Sequence, residues 1–85
     1  MLNEDELMIY VFEKLKDEDI RYTNQLFEDY RLTAEDKVSL SNLLLELGKM
    51  DVLVKAEPFF RLPDGDIRVD WVRLGKLYDE SKKTV

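Results

Sequence analysis

The chain has no histidine and no cysteine, so any chemistry it performs rests on carboxylates, lysines and hydroxyls. General acid–base work would need one of these with a strongly perturbed pKa, because the side chain that titrates near neutrality is missing. Two acidic groups are dense enough to attract a hard cation, Asp17-Glu18-Asp19 and Asp64-Gly65-Asp66. Neither continues into a twelve-residue calcium loop with its terminal glutamate, and ordinary loop chemistry accounts for both. Other carboxylates stand where helices begin, as in Glu4-Asp5-Glu6 and Glu35-Asp36, and there they favour the positive end of the helix dipole. No glycine-rich phosphate loop is present. These residues point away from an enzyme and imply no cofactor and no metal.

The elements that would position binding residues are organised around the stretch from Leu32 to Leu53. Thr33 is placed to cap a helix by accepting the backbone N–H of Asp36, although Asp36 stands where a capping box has Glu or Gln. Leu40, Leu43, Leu44 and Leu47 then recur at the three- and four-residue spacing of one helical face. This predicts a helix over 34–48 with a leucine core face. Val38, Ser41, Asn42, Leu45 and Lys49 form the opposite, outward stripe. Gly48 weakens the last turn, and Val52-Leu53-Val54 switches to a β-branched apolar run.

The remaining order follows from caps and turns. Asn3 is a predicted N-cap for a helix over 4–16, with Leu7, Tyr10, Val11 and Leu15 sharing its core face. Ile20-Arg21-Tyr22 suits no more than a single bridge of strand. Thr23 is a predicted cap for a short helix over 24–30 whose apolar side is Leu26, Phe27 and Tyr30. Strands are expected at 52–57 and 59–69 around the turn at 63–66, where Pro63 suits the second turn position and Gly65 a positive φ. Pro58 cannot donate to a ladder and belongs at an edge or kink. Asp70 is a predicted cap for a last helix over 71–82, although a strand period also fits Trp71.

With 85 residues, the chain suits one domain, 1–85, with a single modest core. The lack of cysteine excludes a disulfide framework, and no apolar run approaches the ~20 residues that cross a bilayer. MLNEDEL is acidic where a secretory signal is basic, and the expected location is the cytoplasm. The formal charge is −6, unevenly spread: residues 1–48 carry five basic and twelve acidic side chains, a net of −7, and residues 49–85 carry eight and seven, a net of +1. Such a chain is a poor non-specific ligand for a polyanion, because Lys and Arg supply most of that attraction.

The segments TNQLFEDYRLTAEDKVSLSNLLLELGKMDVLV and LPDGDIRVDWVRLGKLYDE resemble the winged helix-turn-helix superfamily: second helix, tight turn, recognition helix, first wing strand, then wing tip, second strand and closing helix. The resemblance implies an α+β winged helix-turn-helix fold, with a three-helix core, a small antiparallel β-wing and a C-terminal helix. It also implies a small DNA-binding regulator of transcription that uses the third helix on double-stranded DNA. Ser41 and Asn42 are then the candidate base contacts, with Lys37, Ser39 and Lys49 bordering the groove and Arg61 and Arg68 on phosphates. The sequence departs from the family pattern at Asp51, where a glycine is common, and at Asp64 and Asp66 on the wing tip.

A homodimer is a further expectation. Winged-helix regulators dimerise through terminal helices, which by resemblance makes Trp71, Leu74 and Tyr78 candidate contacts. Phe59 and Phe60 join them because consecutive strand residues face opposite sides, so one ring leaves the core. The alternative function is a protein-interaction module on the same scaffold that binds another protein and no DNA. The acidic balance and the acidic wing tip favour it. Val38 and Leu45 on the outward face offer a protein-contact surface, against the simpler reading in which Leu45 is an ordinary residue of a helix buried over more than half its circumference.

Overall fold

The computed structural model of the protein describes residues 1–18, 20, 23–54 and 68–84. Three α-helices dominate: α1 Glu4–Asp17, α2 Ala34–Lys49 and α3 Trp71–Thr84. Each begins at a side-chain cap. The Asn3 side chain accepts the Glu6 N–H at 2.8 Å, and the Glu6 carboxylate accepts the Asn3 N–H at 3.0 Å. Thr33 and Asp36 make the same reciprocal pair at 3.1 and 2.9 Å, so the shorter aspartate completes the box. Asp70 takes the Arg73 N–H at 3.2 Å and thereby starts α3, which places Trp71 in the helix and not in a strand.

The helices bury the faces their spacing marks. Leu7, Met8 and Val11 of α1, Leu40, Leu44 and Leu47 of α2, and Leu74 of α3 meet in one core with Leu26, Val52 and Leu53. α3 packs chiefly along α1, and α1 also touches α2. α2 ends in a Schellman turn: the Val52 N–H reaches Leu47 O at 2.9 Å and the Asp51 N–H reaches Gly48 O at 3.1 Å. Asp51 occupies the left-handed position of that turn with φ 58°, a conformation that favours glycine. The turn delivers Val52 and Leu53 into the core directly after the helix.

The fold differs from the expected α+β winged helix. Residues 24–30 do not form an α-helix; a five-residue 3₁₀ helix spans Thr23–Phe27. The reason is local: so short a segment gains few hydrogen bonds for the cost of nucleating a helix. The Asp29 carboxylate then draws the Arg31 N–H at 2.9 Å into a turn. Tyr30 is 94% exposed and not part of an apolar side. Among the described residues, extended pairing amounts to Leu53 opposite Val69 and Val54 opposite Arg68, too little to make a sheet. The described residues form three helices braced by that contact, not a helical core with an antiparallel wing. Residues 55–67, including Pro58 and the turn at 63–66, lie outside the described residues, as do Arg21 and Tyr22.

Candidate functional site

The outward face of α2 carries most of the residues expected to bind. Asp36, Leu40, Leu44 and Leu47 turn inward, which leaves Val38, Asn42, Leu45 and Lys49 on the opposite side. Val38 is 64% and Leu45 44% exposed. Ser41 is half-buried between them, while Lys37, Ser39 and Asn42 are exposed. Phe27, reaching over from the 3₁₀ helix, closes a shallow groove of about 420 Å³ against Lys37, Val38, Ser41 and Asn42.

The register of α2 is held from outside the helix. The Asp36 carboxylate is buried, and besides the Thr33 N–H it accepts the Leu2 N–H at 2.7 Å. These donors, Thr33 first and then Leu2, hold its pKa below the ordinary aspartate value. At the other end of the 3₁₀ segment, Asp29 is clamped by the Arg31 guanidinium at 2.6 Å and approached by Lys14 at 3.5 Å. The Arg31 hydrogen bonds are the main reason that Asp29 also stays well below the usual carboxylate range. Tyr10 donates its hydroxyl to Leu26 O, and burial pushes its pKa up. Together these contacts fix the 3₁₀ segment, α1 and the start of α2 to one another.

Among the described residues the cations do not gather around this face. Lys37 and Lys49 are twelve residues apart, which on an α-helix is about 18 Å along the axis and roughly a third of a turn around it. Lys49 lies 3.4 Å from Glu46. Arg68 sits on the exposed side of the short pairing, engaged with a neighbour, and Arg61 lies outside the described residues. Lys14 bridges Glu18 at 2.7 Å. Lys16 stands 5.1 Å from the ring centre of Trp71, and Lys82 stands 5.5 Å from that of Tyr78. Of the acidic groups weighed as cation sites, Asp19, Asp64 and Asp66 lie outside the described residues.

The expected dimer residues divide. Leu74 is fully buried in the core and offers no side-chain surface to a partner. Tyr78 stacks on Phe12 with centroids 4.1 Å apart, and Trp71 meets the same ring edge-on at 5.9 Å, so both bind α3 to α1. Trp71 remains 41% exposed and Val72 70%. Phe59 and Phe60 lie outside the described residues.

Sequence reasoning missed Phe12 as the hub of this ring cluster. Its signal was the four-residue spacing to Lys16, with Trp71 and Tyr78 seven residues apart on the partner helix. It also read Phe27 purely as core, although the ring borders the α2 groove.

The described part of the chain thus defines a small three-helix domain with a partly apolar outward helix. Comparison with protein-family models, with curated proteins and with solved structures finds no match. Among the described residues no helix is long and apolar enough to cross a membrane.

Proposed function

We propose that this chain is a protein-interaction module that docks another protein on the outward face of α2 and does not bind DNA. The observation that carries this reading is the composition of that face. Val38 and Leu45 lie exposed on it beside Asn42 and the Phe27 groove. Glu35 and Glu46 flank them, and its two lysines stand at opposite ends. Phosphate binding needs several cations on one surface, because each neutralised phosphate releases a counterion. Apolar residues set among small polar ones suit a protein interface.

Two measurements test the proposal. Titration with random-sequence duplex DNA at low ionic strength is expected to show no association; binding that weakens steeply with added salt would return the chain to the DNA regulators. A photo-crosslinking residue placed at Leu45 is expected to capture a discrete protein in cells, and the Val38→Glu/Leu45→Glu variant, still helical by circular dichroism, is expected to lose a partner identified in this way. Absence of any crosslinked protein would sink the interface.

A further inference from the structure

A second surface lies at the end of the molecule where the start of α1 meets the C-terminal halves of α2 and α3. Two neighbouring depressions, of about 260 and 350 Å³, share Glu4, Leu43 and Glu46 and so run into one another. The floor is apolar: Leu47 is buried, and Leu43 and Leu77 are half-buried against the core. Met50 adds an exposed, adaptable thioether side chain at one end. The rim carries Glu4, Asp5, Glu46 and Glu80, and among the described lining residues there is no lysine or arginine. The nearest counter-charge on α2 is Lys49, paired with Glu46 at 3.4 Å, both side chains largely exposed. Such a pair is weak enough for an incoming cation to replace it.

We infer that this groove receives a basic amphipathic helix of another protein, with apolar anchors on the leucine floor and lysine or arginine side chains against the four rim carboxylates. The inference rests on the protein-interaction reading but assigns an adjoining surface, which shares only its border residues Ser39, Asn42 and Glu46 with the outward face of α2. The charges select the occupant. An acidic or neutral helix would place its flanks against Glu4, Glu46 and Glu80 without compensation, whereas a basic one is complementary at each. The net −7 of residues 1–48 also steers a cationic segment toward this part of the chain from a distance.

The test uses the intact chain and a synthetic helical peptide with leucine at heptad a and d positions and lysine elsewhere, beside a control with glutamate in place of lysine. The lysine peptide is expected to bind, with amide chemical-shift changes centred on Leu43, Met50 and Leu77, and to weaken as salt is raised. The Glu46→Lys/Glu80→Lys variant changes two exposed positions and leaves the core intact. It is expected to bind the peptide about tenfold more weakly or worse. The glutamate peptide is expected not to bind.

Equal affinity of the double variant overturns the inference. So do shifts spread over every acidic patch, or a concentration-dependent dimer that occupies the groove in the peptide's place. Peptide failure with a persisting Leu45 crosslink overturns the groove assignment alone. Loss of both overturns the interaction reading beneath it.

Discussion

Asp36 does more than its place in a helix start would require. Its carboxylate closes the capping box with Thr33 and at the same time ties Leu2 to the start of α2. Removing the Thr33 capping hydroxyl, by Thr33→Ala, is expected to lower stability by ~1 kcal/mol, the usual cost of a lost N-cap, read from urea unfolding midpoints. Asp36 and Asp29 also set the acid sensitivity of the fold. Both have folded pKa values depressed below the ordinary range, so their contribution is complete above the unfolded value of about 3.9 and is lost as pH falls through the lower folded values. Thermal midpoints are therefore expected to hold above about pH 5 and to drop below about pH 4. Asp36→Asn is expected to flatten that drop, and an unchanged acid limb in this variant would remove Asp36 from the account.

Within α2, the C-terminal turn is the element under most backbone constraint. Asp51 adopts φ 58°, a left-handed conformation that costs a residue bearing a Cβ about 1 kcal/mol. The turn persists because it satisfies Leu47 O and Gly48 O and places Val52 and Leu53 in the core. Asp51→Gly is expected to stabilise the protein by about 0.5 kcal/mol or less, the relief at the turn being largely offset by the greater freedom of unfolded glycine. Denaturant midpoints measure it, and a destabilised variant would show that the Asp51 side chain contributes something beyond the turn. The 3₁₀ segment shows the opposite balance. There Asp29 makes a turn with Arg31, and the chain leaves helical geometry before Tyr30 can join an apolar face.

For the molecule as a whole, the dominant packing is α1 against α3. Leu74 is its buried centre, with Phe12, Trp71 and Tyr78 on the flank. Leu74→Ala is expected to cost about 3 kcal/mol, a large share of the ~5–10 kcal/mol total that a chain of this size carries. It should also change Trp71 fluorescence in the native state as the ring cluster loosens. A loss under about 1 kcal/mol would mean that α3 does not depend on this contact. The same packing brings Glu4, Glu46 and Glu80 around one groove, so the charge pattern of the described surface is set by how three helices are rotated, not by any one motif.

The three helices, their caps and the leucine face of α2 could be read directly from residue types and spacing. Those signals are local: a cap is satisfied three residues away, and an apolar stripe repeats every three or four. The outward residues Val38, Ser41, Asn42, Leu45 and Lys49 were legible for the same reason. That residues 24–30 stop at a 3₁₀ helix has a local cause, the Asp29–Arg31 turn, which the sequence reading passed over. Tertiary structure alone decided that Leu74 faces the core and not a partner, and that Asp36 bonds Leu2. It alone decided that the described residues make a three-helix fold where the order of elements suggested a winged helix. Each of these depends on how distant segments rotate against one another to bury apolar surface, and that mutual fit is set by the shapes of all the packed side chains together.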